Sequence, residues 1–179
     1  MLLKTIPITK NFIDFKKLST LVKEAFPSKE NLILSKFVEM AQNPDFDFLG
    51  LYDENLFVGF MAIKKYKKLN YLFFLAIDSV LRSSGYGSRA IKTLVDLYPN
   101  TIQIVDLEKL DETANNSIQR QKRRKFYLKN GYKPTNKYLR YLNTDYEILC
   151  MQDNFDFDAF KDMLKTIQLE GFNPEYFEL

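Results

Sequence analysis

The sequence of 179 residues contains no histidine and only one cysteine, Cys150. Without histidine there is no Ser-His-Asp triad, no Cys-His nucleophile and no histidine-ligated zinc site. A single cysteine cannot form a disulfide within the chain, and its apolar setting, YEILCM, indicates an inert thiol of the core. The chemistry must therefore use carboxylates, tyrosine, hydroxyl groups or backbone amides.

Long apolar runs are also missing. No segment reaches the roughly 20 apolar residues of a membrane span, and the first residues, MLLKTIPITKNF, do not resemble a secretory signal. We therefore expect a cytoplasmic protein without a membrane partner. The net charge of +3 is too low for a nucleic-acid partner, despite the basic run RQKRRK at 120–125. The length predicts one domain, residues 1–179.

The first half of the chain predicts two helices followed by antiparallel strands. Apolar residues recur at helical spacing from Phe12 to Phe26, with Asn11 as N-cap and Pro27 at the end. A weaker helical stripe ends before Asn43-Pro44. The segment FDFLGLYDENLFVGFMAI then predicts two strands around the polar turn 53–55, and YLFFLAI predicts a third.

The second half alternates helices and strands. We predict a helix over 85–98, the strand TIQIVDL, a helix over 116–129 that ends at Asn130-Gly131, two late strands and a helix over 157–167. The complete order is β-α-α-β-β-β-α-β-α-β-β-α. This pattern predicts an α/β (α+β) fold.

Two glycines stand where a strand gives way to a helix, in LAIDSVLRSSGYGSRAIKTL. The first N–H groups of a helix have no internal partner, and the helix dipole adds partial positive charge. Gly85 and Gly87 would let a phosphate approach these amides, and Ser83, Ser84 and Ser88 add hydroxyl donors. The loop therefore predicts a ligand that carries phosphate.

The glycines alone leave the ligand open. The segment Gly85 to Ala90 also satisfies the dinucleotide pattern G-x-G-x-x-G/A, and Asp106 stands where a ribose-binding acid is expected. Against a nucleotide-binding oxidoreductase, seven residues separate the strand from Gly85, and the preceding strands form hairpins. A catalytically silent binding module is the other alternative.

Two motifs resemble the GNAT superfamily of N-acetyltransferases. Leu75-Ala76-Ile77 followed by Arg82-x-x-Gly85-x-Gly87 is similar to its coenzyme signature, and the segment 126–132, FYLKNGY, is similar to its second hallmark. The resemblance implies a mostly antiparallel central sheet with splayed parallel strands in the middle, flanked by helices. It also implies acetyl coenzyme A as cosubstrate, no metal, and direct attack of a primary amine on the thioester.

The resemblance further implies the site residues. Tyr127 would protonate the leaving thiolate, and Glu108 is the preferred base, with Asp106 or a water chain as alternatives. Arg120 stands at the usual asparagine position, while Asn116 lies one turn earlier and could bind pantetheine. The residues expected to bind the coenzyme are Leu75, Ala76, Ile77, Arg82, Ser83, Gly85, Tyr86, Gly87, Ser88, Asn116 and Arg120.

The acceptor is not readable from the sequence. The resemblance implies a small-molecule or peptide amine, and a homodimer is left open. Asp106, Glu108, Asp111 and Glu112 would form an acidic lip that suits a cationic amine.

Overall fold

A computed structural model describes residues 1–25, 30–141, 143–167 and 172–178. Phe26 and Pro27, at the expected end of the first helix, lie outside these ranges, as does Leu142 of the first late strand. The described helices are α1 (Phe15–Ala25), α2 (Glu30–Met40), α3 (Tyr86–Leu97), α4 (Ser117–Lys129) and α5 (Phe157–Lys165). The strands are β1 (Lys4–Pro7), β2 (Phe46–Asp53), β3 (Leu56–Tyr66), β4 (Leu69–Ile77), β5 (Ile102–Glu108), β6 (Lys133–Tyr141), β7 (Thr144–Cys150) and β8 (Glu175–Glu178).

The eight strands form one mixed sheet in the order β1-β2-β3-β4-β5-β7-β6-β8. Among the described residues, β4 and β5 form the one parallel pair, over Leu69–Tyr71 and Ile102–Ile104. The predicted fold class is confirmed. The antiparallel pairing of β2 with β3 also differs from the parallel sheet that a dinucleotide-binding domain needs at this point.

The chain divides into two compact units. The first contains residues 1–65 and 72–99, and the second contains residues 66–71 and 100–179. The single domain that the length suggests stays a prediction. No helix within the described ranges has both the length and the apolar character to cross a membrane.

The core of the first unit is rich in phenylalanine. Leu18, Leu21 and Val22 of α1 are buried, as the helical spacing of apolar residues requires. The ring of Phe37 on α2 lies 5.9 Å from that of Phe73 and 5.3 Å from that of Phe74, between ring centroids. Burial of each phenylalanine contributes roughly 2–3 kcal/mol. This packing fixes the second half of β4, where the coenzyme signature begins.

The second unit surrounds β5. Ile104 on β5 and Ile148 on β7 are fully buried, and the two strands pair antiparallel. Helix α5 packs through Phe160, whose ring lies 5.4 Å from that of Tyr71. These contacts hold the strand that carries Asp106 and Glu108.

Two expectations about the elements need correction. Helix α1 begins at Phe15 and not after Asn11, because Phe12 belongs to a preceding turn in which its N–H donates to the carbonyl of Thr9. Phe12 is nevertheless buried. The apolar spacing that predicted the helix therefore included a residue of the preceding turn. The order also ends with an unpredicted strand, β8, which pairs antiparallel with β6.

Candidate active site

The loop between β4 and α3 is a folded connection. Ser79–Leu81 form a 3-10 helix whose N-cap, Asp78, accepts a hydrogen bond from the N–H of Val80 at 3.1 Å. The Arg82 guanidinium donates from Nε to the carbonyl of Ile77 at 3.1 Å. This bond closes the loop back onto the end of β4, so the Arg82 side chain holds the loop in shape.

The N-terminus of α3 is open. Gly85 is its N-cap, in the left-handed conformation with a φ of 86°, and no side chain of the described chain caps the helix there. A Cβ at Gly85 would meet nothing within 4 Å. The amides of Tyr86, Gly87 and Ser88 therefore present the unpaired donors of a helix start, as the sequence predicted.

An ion pair in the first unit anchors this helix start. Asp53, the last residue of β2, accepts two hydrogen bonds from Arg89 at 2.7 Å each and one from the Tyr86 hydroxyl at 3.0 Å. The Arg89 guanidinium lowers the pKa of Asp53 to about 2. The Tyr86 side chain is thus held by Asp53. The backbone amide of Tyr86 takes no part in this contact and stays available to a ligand. The sequence indicated Asp53 only as a turn residue.

The end of β4 is less covered than its beginning. The first four residues of the strand are buried, whereas Leu75, Ala76 and Ile77 are only partly buried. On β3, an added Cβ at Gly59 would lie 2.1 Å from the carbonyl oxygen of Ala76. Only glycine allows this close approach. Gly59 therefore allows β3 to pack closely against the end of β4, where the coenzyme signature begins. No sequence motif indicated Gly59.

Glu108 lies among positive and amide groups of α4. Its carboxylate accepts from Arg123 at 3.0 Å and from the Asn116 amide at 3.1 and 3.2 Å, and it lies 3.3 Å from Arg120. Arg120 also donates to the side-chain oxygen of Asn116 at 2.8 Å and to the carbonyl of Lys109 at 2.8 Å. The structure therefore brings Glu108, Asn116 and Arg120 together, as one hydrogen-bonded cluster.

Asp106 lies in a different environment, two residues earlier on β5. It accepts a hydrogen bond of 2.7 Å from the hydroxyl of buried Tyr71. Desolvation by burial raises the pKa of Asp106 to about 6, against the hydrogen bond from Tyr71, which lowers it. A carboxyl group with a pKa near 6 can exchange protons at neutral pH. Tyr71 is absent from the sequence-derived site because only the β4–β5 register brings it to Asp106.

Tyr127 is buried near the end of α4, and its ring lies 5.0 Å from that of Phe126 and 5.3 Å from that of Tyr132. Burial raises the pKa of Tyr127 well above its usual value. Its hydroxyl therefore remains protonated across the physiological range. No hydrogen bond to this hydroxyl occurs within the described ranges, which leaves it available to a ligand.

The comparisons with known proteins agree with the motifs. A family model described as the acetyltransferase (GNAT) family matches residues 15–132. No curated protein matches the sequence. Among solved structures, a protein described as a GNAT-family acetyltransferase from Bacteroides thetaiotaomicron has a TM-score of 0.72 and 20% identity, over 92% of this chain and 97% of its own.

Two further solved structures have the same fold. An aminoglycoside 6'-N-acetyltransferase complexed with coenzyme A has a TM-score of 0.64 and 19% identity, over 86% of this chain and 99% of its own. The ribosomal-protein-S18-alanine N-acetyltransferase from Escherichia coli has a TM-score of 0.58 and 14% identity, over 87% of this chain and 100% of its own. Because the family model covers more than half of the chain, the protein belongs to the GNAT family of acetyltransferases.

Proposed function

We propose that the protein transfers the acetyl group of acetyl coenzyme A to a primary amine by direct attack of the amine on the thioester. The observation that carries the coenzyme part is the open N-terminus of α3, which begins at Gly85. The amine part rests on two groups of the second unit, the Asp106 carboxyl group as proton acceptor and the Tyr127 hydroxyl as hydrogen-bond donor.

Coenzyme binding is assigned to the first unit. The amides of Tyr86, Gly87 and Ser88 would bind the pyrophosphate, because a helix start favours an anion. The partly buried end of β4 offers backbone groups to pantetheine, as a strand edge does to a peptide. The amide of Ile77 would hold the thioester carbonyl and its oxyanion, a donor worth about 3 kcal/mol.

The base requires a carboxylate that can accept a proton. We assign this role to Asp106 in preference to Glu108, because Glu108 already accepts from Arg123 and Asn116. Asp106 accepts a hydrogen bond from the Tyr71 hydroxyl and forms no ion pair within the described ranges. The amine nitrogen loses a proton to Asp106 directly or through water, and its lone pair then forms the bond to the acetyl carbon.

Tyr127 is assigned to the leaving thiolate. As the tetrahedral intermediate collapses, the carbon–sulfur bond breaks and its electron pair stays on sulfur. Burial raises the pKa of Tyr127 far above the roughly 8.5 of a thiol, so a complete proton transfer from Tyr127 is uphill. The hydroxyl therefore stabilises the thiolate by a hydrogen bond, and the proton arrives from solvent afterwards.

Asn116 and Arg120 are proposed to act differently from the sequence-based expectation. Both side chains bind Glu108 or each other, so we propose that they order the start of α4. Direct contact of Asn116 with pantetheine, or of Arg120 with a phosphate, stays a prediction of the family resemblance.

Thermal unfolding with candidate cosubstrates tests the proposal. We expect acetyl coenzyme A to raise the melting temperature, because a ligand that binds only the folded state stabilises it, and NAD to leave it unchanged. A panel of amines is then assayed for release of free thiol from acetyl coenzyme A. Stabilisation by NAD alone would favour the oxidoreductase alternative, and coenzyme binding without turnover on any amine would favour the silent binding module.

A further inference from the structure

Two aspartates at opposite ends of β2 bind the two ends of helix α3. Asp53 accepts a hydrogen bond of 3.0 Å from the hydroxyl of Tyr86, the first residue of the helix. Asp47 accepts a hydrogen bond from the hydroxyl of Tyr98, the C-cap residue of the same helix. The aspartates are six positions apart on a strand, which is roughly 20 Å. The tyrosines are twelve positions apart on a helix, which is roughly 18 Å. These lengths match, so α3 lies along β2 in the opposite chain direction.

Each aspartate also forms an ion pair. Arg89 donates two hydrogen bonds of 2.7 Å to Asp53, and Lys65 lies 2.7 Å from Asp47. The two pairs are similarly covered, with side-chain exposures of 23% and 28% in the first pair and 28% for both partners in the second. The pairs differ in what they hold, because Arg89 belongs to α3 whereas Lys65 belongs to β3. The contacts of Asp53 therefore hold the helix through two side chains, and those of Asp47 through one.

The apolar face of α3 does not by itself fix the position of the helix along its axis. Ala90, Ile91 and Leu94 are buried, but burial of apolar surface is non-directional. Hydrogen bonds and bidentate ion pairs have defined directions and distances. The contact of Arg89 with Asp53 therefore sets the axial position and the rotation of the first turn relative to the end of β2.

We propose that Asp53 is a positioning residue for the coenzyme: through Arg89 and the Tyr86 hydroxyl, it holds the first turn of α3 in the orientation that the pyrophosphate requires. This inference rests on the proposed function, which assigns the pyrophosphate to the amides of residues 86–88. Donors that are fixed before a ligand arrives lose less freedom on binding, so the affinity is higher. The Asp47 contacts lie at the other end of the helix and stabilise the fold without acting on the coenzyme.

Paired alanine variants of the two ion pairs test this role. The N-terminal double variant combines Asp53→Ala with Arg89→Ala, and the matched C-terminal double variant combines Asp47→Ala with Lys65→Ala. Each removes one charge of each sign, so the net charge of the protein does not change. Affinity for coenzyme A is measured by isothermal titration calorimetry at a temperature where circular dichroism shows both variants to be folded.

We expect the N-terminal double variant to bind coenzyme A about fivefold more weakly than the unmodified protein. The C-terminal double variant should bind it normally, although both variants should unfold at a lower temperature. Unchanged affinity in the N-terminal double variant overturns the proposal. Equal weakening in both double variants also overturns it, because the effect would then follow from the general loss of stability.

Steady-state kinetics supply a readout that a general loss of stability would not produce. On an accepted amine, the N-terminal double variant should raise KM for acetyl coenzyme A about fivefold and leave kcat near its original value. Loss of binding that is shared by the ground state and the transition state has this effect. A fall in kcat with KM unchanged would contradict the positioning role.

A second pair of variants removes single hydroxyl groups. It is needed because Arg89→Ala also removes a hydrogen bond of 3.0 Å from Arg89 to the carbonyl of Met1. Tyr86→Phe removes one of the hydrogen bonds to Asp53, and Tyr98→Phe is its control at the other end of the helix. Affinity for coenzyme A should fall about twofold in Tyr86→Phe and not in Tyr98→Phe. Equal affinities of the two phenylalanine variants overturn the proposal, including the case in which the N-terminal double variant does not fold.

The unmodified protein separates this inference from the proposed function. If it does not bind coenzyme A, the assignment of the pyrophosphate to α3 is wrong and both proposals are overturned. If it binds coenzyme A and the N-terminal double variant binds with equal affinity, only the positioning role of Asp53 is overturned.

Discussion

Replacement of Asp106 by asparagine should make the protein more stable and less active. Burial raises the pKa of Asp106 from 3.8 to about 6, and each pKa unit corresponds to about 1.4 kcal/mol. The ionised carboxylate therefore costs about 3 kcal/mol of folding free energy at neutral pH. Asp106→Asn removes this charge and keeps an oxygen that can accept the Tyr71 hydrogen bond. We expect up to about 3 kcal/mol of added stability at pH 7.5, or roughly 6 to 12 °C in melting temperature.

The sign of the pH dependence follows from the direction of the shift. Between pH 3.8 and 6 the folded state binds more protons at Asp106 than the unfolded state, so the contribution of this group to stability falls as pH rises. The stability gain of Asp106→Asn should accordingly be largest at pH 7.5 and shrink toward pH 4. Urea unfolding of the unmodified protein and of Asp106→Asn at several pH values measures this stability gain.

Asp111→Asn is the matched control for this experiment. Hydrogen bonds from the Thr113 hydroxyl and amide lower the pKa of exposed Asp111, so its replacement should give no gain in stability at pH 7.5. A stability gain of Asp106→Asn that is independent of pH, or no gain at all, would refute the argument that ionisation of the partly buried Asp106 destabilises the fold. Normal turnover of the variant on an accepted amine would refute its role as base.

Three other substitutions test the remaining assignments. Tyr127→Phe should bind acetyl coenzyme A normally and lose turnover by about 10²-fold. Its melting temperature should change little, because the Tyr127 hydroxyl has no hydrogen bond within the described ranges. Near-normal turnover would contradict the role of this hydroxyl in stabilising the leaving thiolate. Gly87→Val should weaken coenzyme affinity, measured by titration, because its Cβ intrudes on the phosphate path; unchanged affinity in a folded variant removes the loop from the site. Tyr71→Phe removes a hydrogen bond that lowers the pKa of Asp106, so the acidic limb of the kcat/KM profile should move to higher pH, and an unmoved limb contradicts this coupling.

Most of the fold was predictable because its elements carry strong local patterns. The amphipathic stripe of α1, the hairpin strands β2 and β3, and the glycine after α4 each specify their element within a few residues. Strand β8 was missed because EYFE is short, does not alternate between apolar and polar residues, and gains its hydrogen bonds only by pairing with β6. Pairing between distant segments leaves no local pattern.

The conformation of the candidate site was predictable where it depends on glycine. Gly85 adopts the left-handed conformation, which the sequence indicates directly because glycine favours it. The choice between Asp106 and Glu108 depends on partners 35 and 15 residues away, Tyr71 and Arg123. The two acids stand two residues apart on one strand, and both are partly buried. Only their tertiary neighbours distinguish the carboxyl group without an ion pair from the ion-paired one.

The close approach at Gly59 has a consequence for the genetics of this protein. No side chain fits there without displacing the carbonyl of Ala76, since even a Cβ would lie 2.1 Å from it. In a random library selected for loss of acetyl transfer, substitutions at this codon should therefore appear among the inactive clones. They would alter a residue that contributes no functional group to either reactant. A search for the active site by mutation alone would thus include a position whose role is to leave room for the neighbouring strand.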